Sequence, residues 1–273
     1  IPEKIEIKQL DLELNGGCNY KCPMCPQAEG REKDFLKKLP FNIFTKIVDD
    51  AMQYGLDTVS LHGSGEPTLN RDMPKFVKYV KDKKIKCLSF TNGYRLNKDI
   101  SRELILAGID VLRISCIGYD RKSYAHWMSK DTFQQVRDNV KYFVDLNREL
   151  GGQSEVHIHH LVTDINKKDQ EISSYRQNWS DYTGAKSEIW LMHNWAGSNI
   201  ELGYHREAMI ATLDNRRSCG RPFSPLLQVR AGGLDGHTAG VVACCMVLGK
   251  DSEGILGHLD SNTIAEVVSS EAY

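Results

Sequence analysis

The apolar positions of this chain switch repeatedly between two periods, and the switching predicts the fold. Residues 5–14 place Ile5, Ile7, Leu10, Leu12 and Leu14 at alternate positions with one change of register, which predicts a first strand. Residues 42–54 carry Ile43, Ile47, Val48 and Met52 on a helical stripe closed by Gly55. A short strand over 57–61 (Thr58, Val59, Leu61) runs into His62-Gly-Ser-Gly-Glu-Pro67. Asp72 then caps a helix with Pro74 in its first turn and Phe76, Val77 and Val80 on one face. The same exchange continues through a strand at 85–90, a helix capped by Asn97 and ended by Gly108, and a strand at 110–116. Asp131 caps a long helix bearing Phe133, Val136, Val140 and Phe143, closed by Gly151-Gly152. A strand at 156–162, a helix near 167–179 and a strand at 187–192 complete the series.

Six strand-then-helix units predict a parallel sheet with right-handed crossovers, an α/β partial barrel. In such sheets chemistry gathers at the carboxyl ends of the strands. The loops after the first three strands and the end of the fourth should therefore meet at one rim. From about residue 195 the rhythm stops. Residues 196–218 read as a polar connector, and 219–259 as a compact glycine-rich β unit with Gly232-Gly233, Gly236, Gly240, Gly249, Gly254 and Gly257. Residues 261–270 start a helix. The expected division is 1–195 and 196–273.

Composition narrows the class. Lys plus Arg number 35 against 36 Asp plus Glu, a net charge of −1, which argues against a nucleic-acid surface. No apolar run approaches the roughly 20 residues needed to span a bilayer, and the first residues lack a secretory h-region. Eight cysteines without a secretory signal read as metal-binding or catalytic thiols in a reducing, cytoplasmic setting.

Three of them lie within eight residues, Cys18-Asn-Tyr-Lys-Cys22-Pro-Met-Cys25, spaced C-x3-C-x2-C. Thiolates suit iron–sulfur clusters and zinc, and three ligands leave one metal position open. A zinc site would want paired cysteines or histidines nearby, and none follows. On the fourth strand Arg113 and Ser115 share one face, while Leu112, Ile114 and Cys116 share the other. On the fifth, His157 and His159 face together, suited to substrate binding or acid–base work near neutral pH; hydrogen-bonded barrel histidines are the structural alternative. His193, Asn194 and Trp195 fall where the rim should be.

The cysteine spacing after strand one, with Gly63-Ser-Gly-Glu66-Pro67 after strand two, resembles the radical S-adenosylmethionine (SAM) enzymes over residues 5 to about 195. The resemblance implies a partial (β/α)6 barrel in which Cys18, Cys22 and Cys25 hold a [4Fe–4S] cluster. SAM would chelate the fourth iron and be cleaved on reduction to a 5′-deoxyadenosyl radical, which abstracts a substrate hydrogen atom. It makes Gly63, Ser64, Gly65 and Glu66 the counterpart of the family's GGEP motif. Ser64 replaces the first glycine, and Glu66 would receive the SAM ammonium. Met24 stands where the family has an aromatic residue against the adenine. Asn92, Arg113 and Ser115 are further SAM or substrate contacts. Cys116 is either a hydrogen-atom donor or a buried structural thiol, and Cys87 is structural.

Cys219-Gly-Arg-Pro-Phe followed by Gly240-Val-Val-Ala-Cys244-Cys245 resembles the auxiliary-cluster extensions called Twitch and SPASM, a β-hairpin and helix holding a second cluster. No cysteine follows Cys245, so either the natural chain continues past Tyr273, or the cluster has three or fewer cysteine ligands, or the site is empty; one of Cys244 and Cys245 would only pack. The chain begins directly at strand one, which favours a small polar substrate such as a sugar or aminocyclitol, oxidised or epimerised, over a peptide. The expected partners are that substrate and an electron donor such as a flavodoxin or ferredoxin, without nucleic acid or membrane. The alternative of another class is a non-enzymatic iron–sulfur or zinc-binding interaction protein.

Overall fold

The computed structural model describes residues 5–30, 33–192, 224–245 and 254–273. The strands are β1 (Gln9–Leu12), β2 (Thr58–Leu61), β3 (Lys86–Thr91), β4 (Val111–Ser115), β5 (Glu155–Val162) and β6 (Lys186–Leu191). Each pairs in parallel with the next, as the alternating pattern predicts. Helices α1 (Phe41–Met52), α2 (Met73–Asp82), α3 (Lys98–Ala107) and α5 (Phe133–Glu149) return the chain between strands.

The helices follow their stripes. Phe44, Ile47, Val48 and Ala51 of α1 are buried, and Phe44 meets Phe76 of α2 edge-on with ring centres 4.8 Å apart. Asn97 caps α3, its Oδ1 accepting from Ile100 N at 3.0 Å, and Gly108 ends it in the left-handed conformation at φ 85°. Two expected caps fall elsewhere. Asp72 makes no side-chain capping bond, its own N–H being taken by Asn70 Oδ1. Asp131 pairs with Arg121 at 2.8 Å, and α5 starts from Thr132.

A short helix, α4 (Arg121–Trp127), has no counterpart in the periodicity. It starts from a capping box between Asp120 and Ser123 and buries Tyr124. The stretch expected as one helix near 167–179 is broken. Helix α6 (Lys168–Tyr175) widens into a π turn at Arg176–Ser180, and α7 (Asp181–Thr183) follows.

The larger departure lies at the other end of the sheet. Strand β7 (Leu226–Ala231) pairs in parallel with β1, Leu10 against Leu227. Strands β8 (Ala239–Val242) and β9 (Ile255–His258) continue antiparallel from it. The order is β6-β5-β4-β3-β2-β1-β7-β8-β9. The glycine-rich unit is thus continuous with the barrel sheet. Helix α8 (Ile264–Val268), capped by Thr263 with Glu266, packs near α1, and Ile264 N donates to Asp50.

Candidate active site

Strand parity sorts the sheet into a core face and a lumen face. Leu10, Leu12, Val59, Leu61, Leu112, Ile114 and Ile158 are buried on the helix side. Asp11, Ser60, His62, Phe90, Arg113, Ser115, His157, His159 and Glu188 take the other parity. Register brings Arg113 beside His157, and His159 between Ser115 and Glu188.

At the rim, three loops are tied into one unit. Glu66 N donates to Gly17 O at 2.8 Å, and Asn15 Nδ2 reaches Gly17 O at 2.7 Å and Glu66 O at 3.3 Å. The cysteine loop is thereby fixed against the Gly63–Pro67 loop. Asn92 Nδ2 donates to Asn19 Oδ1 at 2.8 Å, joining the loop after β3 to the same cysteine loop. Gly65 is indispensable to this closeness: a Cβ there would lie 1.9 Å from Asn15 O.

Glu66 has a bracing part beside the one its motif suggests. Its carboxylate is 3% exposed. Oε1 accepts from Thr68 N at 3.0 Å, Thr68 Oγ1 at 2.6 Å and Thr91 Oγ1 at 2.6 Å, and Oε2 accepts from Asn92 N at 2.7 Å. Burial pushes the carboxyl upward, and these donors pull it back. A carboxylate so enclosed braces the two loops.

Cys18, Cys22 and Cys25 share the loop after β1, with Cys18 exposed and the other two half-buried. Cys25 N donates to Cys22 O at 2.9 Å, which closes a turn between the second and third cysteines. Although Cys18 is exposed as a residue, partial desolvation of its sulfur within the loop pushes the thiol up to about 11, with Tyr20 N–H opposing and Glu66 and Cys25 adding to it. Cys22 is raised by burial and then by Cys25 and Cys18. Three thiols that feel one another's charge are a donor set suited to a cationic iron–sulfur centre.

Two expected residues lie in the core. Cys116 is fully buried with Leu112 and Ile114, and burial holds its thiol well above the ordinary value; this position favours the structural thiol over the hydrogen-atom donor. Met24 is 4% exposed and packs in that core.

In the lumen, Arg113 Nε lies 3.2 and 3.0 Å from the two oxygens of Glu188. His157 Nδ1 approaches Glu188 Oε1 at 3.1 Å. His159 is 7% exposed and meets Trp190 edge-on at 4.2 Å between ring centres. His62 Nδ1 and Ser60 Oγ are 2.6 Å apart, and the His62 ring lies 5.0 Å from that of Phe90. Glu188 and His62 were not singled out in the sequence. Glu188 was legible by its even spacing from Trp190 on strand six, whereas nothing local marks His62 off from its loop.

Strand β8 runs back from the rim, so Cys244 and Cys245 lie towards the amino ends of the strands, away from the rim that holds Cys18–Cys25. Both are half-buried, and the backbone O of Cys245 accepts from Arg230 Nη2 at 2.7 Å. Cys219, His193, Asn194 and Trp195 lie outside the described residues.

A parallel partial barrel with a three-thiol loop and a glycine loop on one rim defines a class, and comparison with known proteins supplies its name. The radical SAM superfamily model matches residues 12–172, and the chain belongs to that superfamily. Its cofactors are accordingly a [4Fe–4S] cluster and SAM.

Among curated relatives, the probable GTP 3',8-cyclase of Saccharolobus solfataricus is 32% identical over 142 residues, 51% of this chain and 44% of that protein. That of Methanococcus maripaludis strain C6 is 28% identical over 141 residues, 52% and 47% of the two chains. The chain thus spans about half the length of the curated relatives it matches. In fold it is similar to Streptococcus suis SuiB bound to the precursor peptide SuiA (TM-score 0.68, 16% identity, 98% of this chain and 65% of that one). It is also similar to BtrN in complex with AdoMet and 2-DOIA (TM-score 0.57, 16% identity, 98% and 85%). No helix among the described residues is long and apolar enough to cross a membrane.

Proposed function

We propose that this chain is a radical SAM oxidoreductase or epimerase acting on a small polar substrate, of the sugar or aminocyclitol kind, bound in the barrel lumen. The observation that carries the reading is the half-buried set Arg113, His157 and Glu188 below the rim. Closely spaced cation, imidazole and carboxylate groups offer both donors and acceptors, which suits a ligand rich in hydroxyl or amino groups.

Cys18, Cys22 and Cys25 hold the cluster in this reading, and Gly63, Ser64, Gly65, Asn92 and Ser115 line the SAM site beside it. When bound and reduced, the cluster supplies the electron that cleaves SAM to the 5'-deoxyadenosyl radical. Arg113 and Glu188 orient the substrate C–H bond. His157 or His159 would take the hydroxyl proton released when an alcohol carbon, having lost a hydrogen atom to the radical, is oxidised. The remaining electron would pass to the second cluster that the C-terminal cysteines would hold. A flavodoxin or ferredoxin serves as electron donor.

The C-terminal hairpin is read as a Twitch/SPASM-like unit with a second cluster on Cys219 and on Cys244 or Cys245. What supports this is that the β8 strand carries Cys244 and Cys245 toward the amino ends of the parallel strands, away from the rim that holds the first site. Anaerobic reconstitution should then give about eight irons per chain; about four would remove the second cluster.

The decisive test is deuterium transfer from labelled candidate substrates into 5'-deoxyadenosine. Transfer from a deuterated aminocyclitol or sugar supports the reading, and failure across that panel rejects it. GTP belongs in the panel as the second reading, because the curated relatives carry that substrate in their names. Oxidised product without solvent deuterium indicates dehydrogenation, and solvent deuterium at the reacting carbon indicates epimerisation.

A further inference from the structure

Glu13 follows β1 at the rim and is fully buried, an expensive place for a carboxylate unless it is well satisfied. Its Oε1 accepts from the consecutive backbone N–H groups of Ser64 at 2.6 Å and Gly65 at 3.0 Å. Its Oε2 accepts from Ala231 N, the last residue of β7, at 3.0 Å. One side chain therefore joins the glycine loop to Ala231, 218 residues from Glu13 in the chain.

The fit is tight on each side. A Cβ on Gly63 would lie 2.5 Å from Glu13 Cγ. Beyond Ala231, Gly232 has φ 137°, and a Cβ there would come within 2.1 Å of Asp34 O. The hairpin turn is thus seated on the segment that follows the cysteine loop, and Lys37 Nζ donates to His237 O at 3.3 Å.

We propose that Glu13 is a positioning residue that holds the Gly63–Pro67 loop in its SAM-receiving shape and makes that shape depend on the seating of the C-terminal hairpin. In a trans peptide the C=O points opposite to the N–H. With the Ser64 and Gly65 N–H groups turned onto Glu13, the Gly63 and Ser64 carbonyls are turned away from it. Those oxygens can meet an ammonium. Bonds from N–H donors to a buried carboxylate are of the strong, charge-assisted kind, so displacement of Ala231 loosens the same clamp that shapes the loop. The inference rests on the reading that this loop binds SAM.

The test compares reconstituted wild type with Glu13→Gln and Glu13→Ala at equal iron content, measuring hydrogen exchange and the SAM concentration that perturbs the EPR spectrum of the reduced cluster. Glu13→Gln keeps one acceptor oxygen and sets an amide NH2 against a backbone donor, so it detaches one end of the clamp without emptying the site. Faster exchange is expected at 63–67 and at 226–232 together, with the SAM requirement raised roughly tenfold to a hundredfold. Gly232→Ala, whose added Cβ would press on Asp34 and Phe35, should loosen 63–67 as well. Unchanged exchange at 63–67 in Glu13→Gln or in Gly232→Ala overturns the inference. Faster exchange at both segments with an unchanged SAM requirement upholds the coupling and overturns the assignment of the loop to SAM.

Discussion

Thr91 Oγ1 donates to Glu66 Oε1 at 2.6 Å, so the loop after β3 is fastened to the loop after β2 through one buried carboxylate. Because Glu66 also holds Thr68 and Asn92 N, losing one donor strains an arrangement whose other members remain. Thr91→Val should cost about 1–2 kcal/mol of stability, and Glu66→Gln more, about 2–3 kcal/mol, by leaving buried donors without a charged acceptor. Denaturant unfolding checks both. Equal costs in the two variants would mean that Asn92 and Thr68 contribute nothing.

The lumen pair invites a double-mutant cycle. Arg113 and Glu188 are each about a quarter exposed or less on the side chain, at 27% and 20%. Removing Glu188 alone leaves Arg113 and His157 without their shared carboxylate. Glu188→Ala should therefore cost about 1–2 kcal/mol, and Arg113→Met with Glu188→Leu less than the sum of the singles. In turnover assays Glu188→Gln should lower kcat/KM at least tenfold while iron content and substrate-free SAM cleavage stay near wild type. Equal loss of SAM cleavage would place Glu188 with SAM instead.

Cys116 lies in the core, so Cys116→Ala should cost stability alone, about 1–2 kcal/mol for a small cavity. Product identity and solvent-deuterium content should not change. Cys22→Ala, in contrast, should abolish the reduced-cluster EPR signal and SAM cleavage together.

The hairpin turn should weaken in acid in two stages. His258 is held below its ordinary 6.5 by burial and by the stacked His237, with Asp260 opposing. The unfolded chain takes up that proton first, so stability falls as pH drops below about 6.5. Asp260 is pushed upward by burial but more strongly downward by Thr238 N–H, His237 and the Thr238 hydroxyl, ending below 3.8. Its contribution is complete above that value and is lost as pH falls through the lower folded-state value. Exchange protection over 226–242 should show both stages, and Asp260→Asn should remove the second and, by taking away the charge that opposes the His258 shift, deepen the first.

Much of this was written in the local pattern. Alternation on β4 and β5 put Arg113, Ser115, His157 and His159 on the lumen face, because parity on a strand depends only on neighbours. The helical stripes placed α1, α2, α3 and α5 for the same reason. What local pattern could not carry was pairing at a distance. β7 reads as a strand anywhere, and only its register against β1 shows that it extends the barrel. Glu13 looks like one more polar residue in an alternating strand until Ser64, Gly65 and Ala231 converge on it. Glu66 was marked by its motif, but its bracing bonds were not legible, because the four donors around it come from the turn after β2 and from the end of β3 and its loop. Helix α4 escaped for a different reason: of its residues only Tyr124 is buried, too little to leave a stripe.

The parallel pairing of β7 with β1 has a consequence for how the molecule is assembled. Leu10 must wait for Leu227, a partner more than two hundred residues downstream, so the edge of β1 stays open while most of the chain is made. Closing so long a loop is entropically slow. The rim loops can form their mutual bonds earlier, but the third donor to Glu13 arrives only with β7. The site at the beginning of the chain is therefore finished by its end, and a ribosome-bound fragment lacking β7 should hold the cysteine loop before it holds a settled glycine loop.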